Sequence, residues 1–78
     1  MKKSVHSPDQ LRFQSLLRQI RKEAGLTQVQ LAERLNTPHS RICNYERGDR
    51  RMDMVQLKEY CGAVGITLHD FVDRFDAT

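Results

Sequence analysis

The sequence predicts an all-α fold of five short helices closed around a single core. Three observations carry that expectation. Apolar residues recur at three- and four-residue steps along most of the chain, the spacing of one helix face. No stretch alternates Val, Ile or Thr with polar residues in the manner of a half-buried strand. Small polar residues followed three positions later by Gln mark helix starts, and Gly marks helix ends. With 78 residues the chain is one domain, near the lower size at which a core holds without staples.

Residues 1–6, MKKSVH, read as a flexible N-terminal arm, and residues 7–76 as the folded domain. Ser7, Pro8 and Gln10 fit an N-cap, a first helical position and a capping-box partner, so the first helix starts near Pro8. Phe13, Leu16, Leu17, Ile20 and Ala24 fall on one of its faces, and Gly25 is placed to end it in a left-handed conformation. Thr27 and Gln30 form a second capping box, with Leu26 and Leu31 as its hydrophobic staple, which opens a helix over 28–35.

A sharp turn follows, for which Asn36 tolerates the left-handed region. Thr37 then serves as a cap and Pro38 as the first position of a third helix over 38–46. At about 100° per residue, Ile42 and Tyr45 face inward, whereas His39, Ser40, Cys43, Asn44 and Arg47 face outward. Residues 27–48 are thus helix, turn, helix. Beyond Gly48 and the charged loop Asp49, Arg50, Arg51, the pair Asp53 and Gln56 starts a fourth helix that buries Leu57, Tyr60, Cys61 and Val64 and stops at Gly65. Thr67 caps a fifth, whose stripe is Leu68, Phe71, Val72 and Phe75.

Charge is divided along the chain. Residues 1–51 carry eleven Lys/Arg and five Asp/Glu, net +6, while residues 52–78 carry two and five, net −3. A basic front and an acidic back suit a protein that meets a polyanion with one side. Cys43 and Cys61 lack the spacing of zinc ligands, and His6, His39 and His69 share no helical face with them. No metal, cofactor or catalytic residue is expected, and no apolar run has the length of a membrane span.

The run from LRQIRKEAGLTQ through LAERL and NYERG to GITLHDF closely resembles the phage repressor and Cro type (XRE-like) of helix-turn-helix DNA-binding domain. The resemblance covers roughly residues 11–71 and implies a compact five-helix, lambda-repressor-like fold, with the second helix crossing the DNA backbone and the third entering the major groove. On it, His39, Ser40 and Asn44 are the expected base readers, Asn44 foremost because an amide meets an adenine edge through two atoms. Gln28, Arg47, Arg50 and Arg51 are the expected phosphate contacts. Arg21 and Glu46 match an ion pair that ties the first helix to the end of the third. The sequence departs from the family's pattern at Asn36, where glycine is common, and at Pro38 and Cys43, where small polar residues are usual.

The resulting expectation is a sequence-specific, double-stranded-DNA-binding transcription regulator, a repressor, in the cytoplasm of a bacterium or encoded by a phage. The fifth helix has more apolar surface than this core needs, so Val72 and Phe75 are assigned to a homodimer interface on a pseudo-palindromic operator. Alternatives of the same fold are a restriction-modification controller, an antitoxin-type repressor, or a protein-interaction module that reads no DNA. An unidentified regulatory protein partner fits a chain with no evident sensor domain, and no membrane partner is expected.

Overall fold

The computed structural model describes residues 7–77; the expected arm, residues 1–6, lies outside them. Five helices follow in order: α1 (Pro8–Glu23), α2 (Gln28–Arg34), α3 (His39–Arg47), α4 (Met54–Val64) and α5 (Leu68–Ala77). Among the described residues all regular structure is helical, and none of the helices is long and apolar enough to cross a membrane. The order and number match the sequence expectation, because the starts of α1, α2, α4 and α5 rest on local side-chain caps that need no tertiary partner.

Thr27 Oγ1 accepts from the Gln30 backbone N–H at 3.1 Å, and the Gln30 side-chain Oε1 accepts from the Thr27 N–H at 2.9 Å. Asp53 and Gln56 repeat this box at 2.8 and 2.9 Å. At Ser7 only half of the box forms: Oγ accepts from the Gln10 N–H at 3.1 Å. Thr67 Oγ1 accepts from the Asp70 N–H at 2.9 Å. The turn between α2 and α3 places Asn36 at φ +53°, the left-handed conformation expected of it. Gly25, at φ +74°, ends the first turn sequence as expected, but Ala24 is exposed and serves as the C-cap instead of joining the apolar face.

Three boundaries differ from expectation, the first being that α2 ends at Arg34, with Leu35 as its C-cap, and not at Leu35. The third helix begins at His39, not Pro38, and runs to Arg47, not Glu46. Pro38 is itself the N-cap, at φ −62° and ψ 147°, and no side chain caps the helix. Thr37 stands one position before that cap, and its N–H is turned back to the Ala32 carbonyl at 3.0 Å, closing the end of α2. A proline's fixed φ suits both a cap and a first helical position, so the sequence alone does not separate the two.

The core is formed by Leu17, Ile20, Leu31, Ile42, Tyr60, Cys61 and Phe71, all at most 2% exposed, with Leu16, Ala32, Tyr45 and Val64 around them. Helices α2 and α3 pack most closely on each other, α1 lies against α3, and α4 and α5 close the remaining side. Ala32 lies in the core between α2 and its neighbours, where its small side chain permits the short approach. On α5 only Phe71 is fully buried; Phe75 is partly covered and Val72 is exposed. Phe75 packs within its own chain, edge-on to Phe13 at 6.2 Å, stacked with Phe71 at 6.5 Å and under the Arg12 guanidinium at 5.0 Å. An ion pair between Arg74 and Glu23 at 2.9 Å ties α5 back to α1.

Candidate nucleic-acid interface

The site is built from the inside outward, beginning with Glu46. This carboxylate lies at the end of α3 with its side chain 1% exposed. A charge so buried is tolerable only when its lone pairs are met by donors. Arg21 supplies two parallel bonds, Nε to Oε2 at 2.7 Å and Nη2 to Oε1 at 3.0 Å. The Tyr60 hydroxyl approaches Oε2 at 2.7 Å and the Leu17 carbonyl at 2.9 Å, and its single hydrogen is shared between them. Gln28 Nε2 donates to Oε1 at 3.1 Å.

Burial pushes the Glu46 carboxyl pKa upward, but the bonds from Arg21, Gln28 and Tyr60 outweigh it and hold the group below its ordinary value. Tyr60 is shifted far upward by burial and by the Glu46 charge, so its hydroxyl stays protonated as a donor. The Arg21–Glu46 pair expected from the resemblance therefore forms, as a four-residue network joining α1, α2, α3 and α4. Two further ties were not anticipated. Arg18 Nη1 donates to the Glu46 main-chain carbonyl at 2.7 Å, and Arg21 Nη1 donates to the Leu26 carbonyl at 2.9 Å. One face of α3 is thereby fastened to α1 at its C-terminal end.

The other face carries the expected readers. His39 and Ser40 are exposed, while Asn44 and Cys43 are half-buried. The structure groups the candidates into two sets. In the first, Gln28 bridges Glu46 and His39: its carbonyl oxygen lies 3.1 Å from His39 Nε2 while its NH2 faces Glu46. In the second, Arg47 donates from Nη2 to Asn44 Oδ1 at 3.3 Å and from Nε to Asp49 Oδ2 at 3.0 Å, and forms an ion pair with Asp49 at 2.8 Å. Asp49 is thus a carboxylate that holds Arg47 beside the outward face of α3, a role that no sequence pattern marks. Arg50 and Arg51 are exposed on the loop that follows.

That loop leaves α3 through Gly48, at φ +82°. The N–H groups of Asp49 and Arg50 both point to the Asn44 main-chain carbonyl, at 2.9 and 3.3 Å. Gln14 of α1, 4% exposed, lies so close under Gly48 that a Cβ there would stand 2.0 Å from its Nε2. The fit of Gln14 against Gly48 sets where the arginine loop departs. Cys43 and Cys61 are both free thiols; burial raises Cys61 to about 11, which suits an inert core residue.

A short helix fastened by one face, presenting small polar side chains on the other and flanked by arginines, after a tight turn from a capped helix, defines a DNA-binding helix-turn-helix regulator. Comparison with known proteins gives the same class. A helix-turn-helix family model matches residues 17–71. Among solved structures, the chain is similar to an XRE-family like protein from Pseudomonas syringae pv. tomato str. DC3000, with 32% sequence identity, 85% of this chain and 84% of that chain covered, and a TM-score of 0.75. Comparison with curated protein sequences gave no match. The chain belongs to the XRE-like helix-turn-helix family.

Proposed function

We propose that this regulator is a sequence-specific repressor that places α3 in the major groove of double-stranded DNA. The observation that carries the reading is the division of α3 into two faces, one anchored through Glu46 and one left to His39, Ser40 and Asn44. Asn44 is the principal base reader, because its amide offers a donor and an acceptor to one adenine edge. Gln28 meets a phosphate through the second hydrogen of its NH2, which neither Glu46 nor His39 uses. Arg47, Arg50 and Arg51 neutralise neighbouring phosphates, Arg47 after exchanging Asp49 for the DNA backbone.

Two substitutions distinguish base reading from backbone contact. On a duplex selected from a random pool, Asn44→Ala is expected to cost about 1–3 kcal/mol and to relax the preference at one position. Arg51→Ala is expected to weaken binding evenly across sequences and to reduce the salt slope by about one unit. Unchanged affinity and preference in Asn44→Ala would remove it from the reading set. An unchanged slope would remove Arg51 from the phosphate set.

The second element of the proposal is a homodimer on a pseudo-palindromic site. Val72, 49% exposed on α5, supplies the free apolar surface, and Phe75 stands one turn further along the same helix. Two recognition helices would then lie about 34 Å apart, one turn of B-DNA. Sedimentation of the protein on its selected duplex is expected to show two protomers, reduced to one by Val72→Glu; a single wild-type protomer would refute the dimer.

A further inference from the structure

The bridge from Glu46 through Gln28 to His39 carries a consequence for what His39 recognises. Glu46 is an ionised carboxylate with no hydrogen to give, so the Gln28 atom facing it at 3.1 Å is the NH2 group. That fixes the orientation of the amide and turns its carbonyl oxygen toward His39 Nε2, 3.1 Å away. A carbonyl oxygen only accepts. The hydrogen of a neutral imidazole therefore resides on Nε2, where it is spent on Gln28, and Nδ1 is left bare as an acceptor. His69 differs, its Nδ1 lying 3.5 Å from the Asp73 carboxylate.

An imidazole free of such a restraint donates or accepts from either nitrogen and discriminates little between bases. Held this way, it offers the major groove an acceptor alone. The complementary groups there are the exocyclic amino groups of adenine and cytosine, since guanine N7 and O6 and thymine O4 are themselves acceptors. We propose that His39 is a specificity-determining residue for an exocyclic amino group, of adenine or cytosine, and that Gln28 is the positioning residue that transmits the Glu46 charge to its tautomer.

The inference rests on the reading of this chain as a DNA binder, and its test separates the two. In the free full chain, in the form that carries a single ring hydrogen, nitrogen-15 spectra of the His39 ring are expected to show a protonated Nε2 and a bare Nδ1. A protonated Nδ1 would overturn the inference without any DNA present. On duplexes enriched from a random pool, the positions at which wild type and His39→Ala differ mark the contact. Removing the amino group there, with purine for adenine or 2-pyrimidinone for cytosine, is expected to weaken wild type by roughly threefold to tenfold and His39→Ala no further than the altered pairing alone does. In Gln28→Ala the ring is released, so this sensitivity is expected to shrink while the Asn44 preference persists.

Full sensitivity in Gln28→Ala would overturn the positioning role. A wild type that instead loses affinity when guanine N7 at the contact is replaced by carbon would overturn the amino-group assignment, with DNA binding intact. Failure to enrich any sequence would overturn the DNA reading itself, and the inference with it.

Discussion

Glu46→Ala is expected to lower the stability of the folded chain by about 3–5 kcal/mol, the cost of breaking a buried pair by removing one partner. The deletion leaves Arg21, whose side chain is 10% exposed in the intact protein, with no carboxylate, and the Leu26 carbonyl and the Tyr60 hydroxyl do not replace that charge. For a domain of this size each kcal/mol corresponds to about 4–8 °C in melting temperature, so thermal denaturation reads the loss directly. The double substitution Arg21→Met with Glu46→Leu is expected to recover most of it, because it removes both charges and their desolvation together. Tyr60 then keeps the Leu17 carbonyl as an acceptor. A double variant as unstable as Glu46→Ala would mean that the pair adds net stability beyond mutual compensation.

The same carboxylate gives the fold an acid limit. Its pKa is lowered in the folded chain from an ordinary 4.5. Its contribution is therefore fully present above about pH 4.5 and is lost as pH falls through the depressed folded value. Wild type is expected to lose stability on acidification across that window more steeply than the double variant, measured by denaturant unfolding at each pH.

Gly48→Ala is the second large effect. A left-handed backbone costs an alanine about 1–2 kcal/mol, and here its Cβ would also displace the buried Gln14 amide, from which it would stand 2.0 Å away. Overpacking of that kind adds about 1–3 kcal/mol. Gly25→Ala provides the control, since Gly25 is equally left-handed at φ +74° but a Cβ there meets no atom within 4 Å. The Gly48 variant is expected to be the less stable of the two in denaturant unfolding, and Gln14→Ala is expected to narrow the gap. Equal losses would show that Gln14 yields without cost.

Much of this architecture is legible in the sequence. Thr27 with Gln30 and Asp53 with Gln56 declare their helices through bonds three residues apart, and such local chemistry is written in consecutive letters. Asn36 was readable for the same reason. The anchoring of α3 was legible only in part. Arg21 and Glu46 are visible through resemblance, but Arg18 bonds a main-chain carbonyl 28 residues away, and a carbonyl carries no sequence signature. Gln14 looks like any solvated glutamine until Gly48 is found above it. Periodicity assigns a residue to a face; it does not name the distant partner on the other side.

The divided face of α3 also sets how this protein can change. If α3 reads DNA as proposed, Ser40 is the position most free to vary, since it is exposed, whereas a change at Asn44 also releases the Arg47 guanidinium that bonds its Oδ1. His39 is different, for it is wired through Gln28 into the same carboxylate that holds the helix. On that proposal a library randomised at 40 leaves the scaffold constant, position 44 is varied together with Arg47, and position 39 together with Gln28.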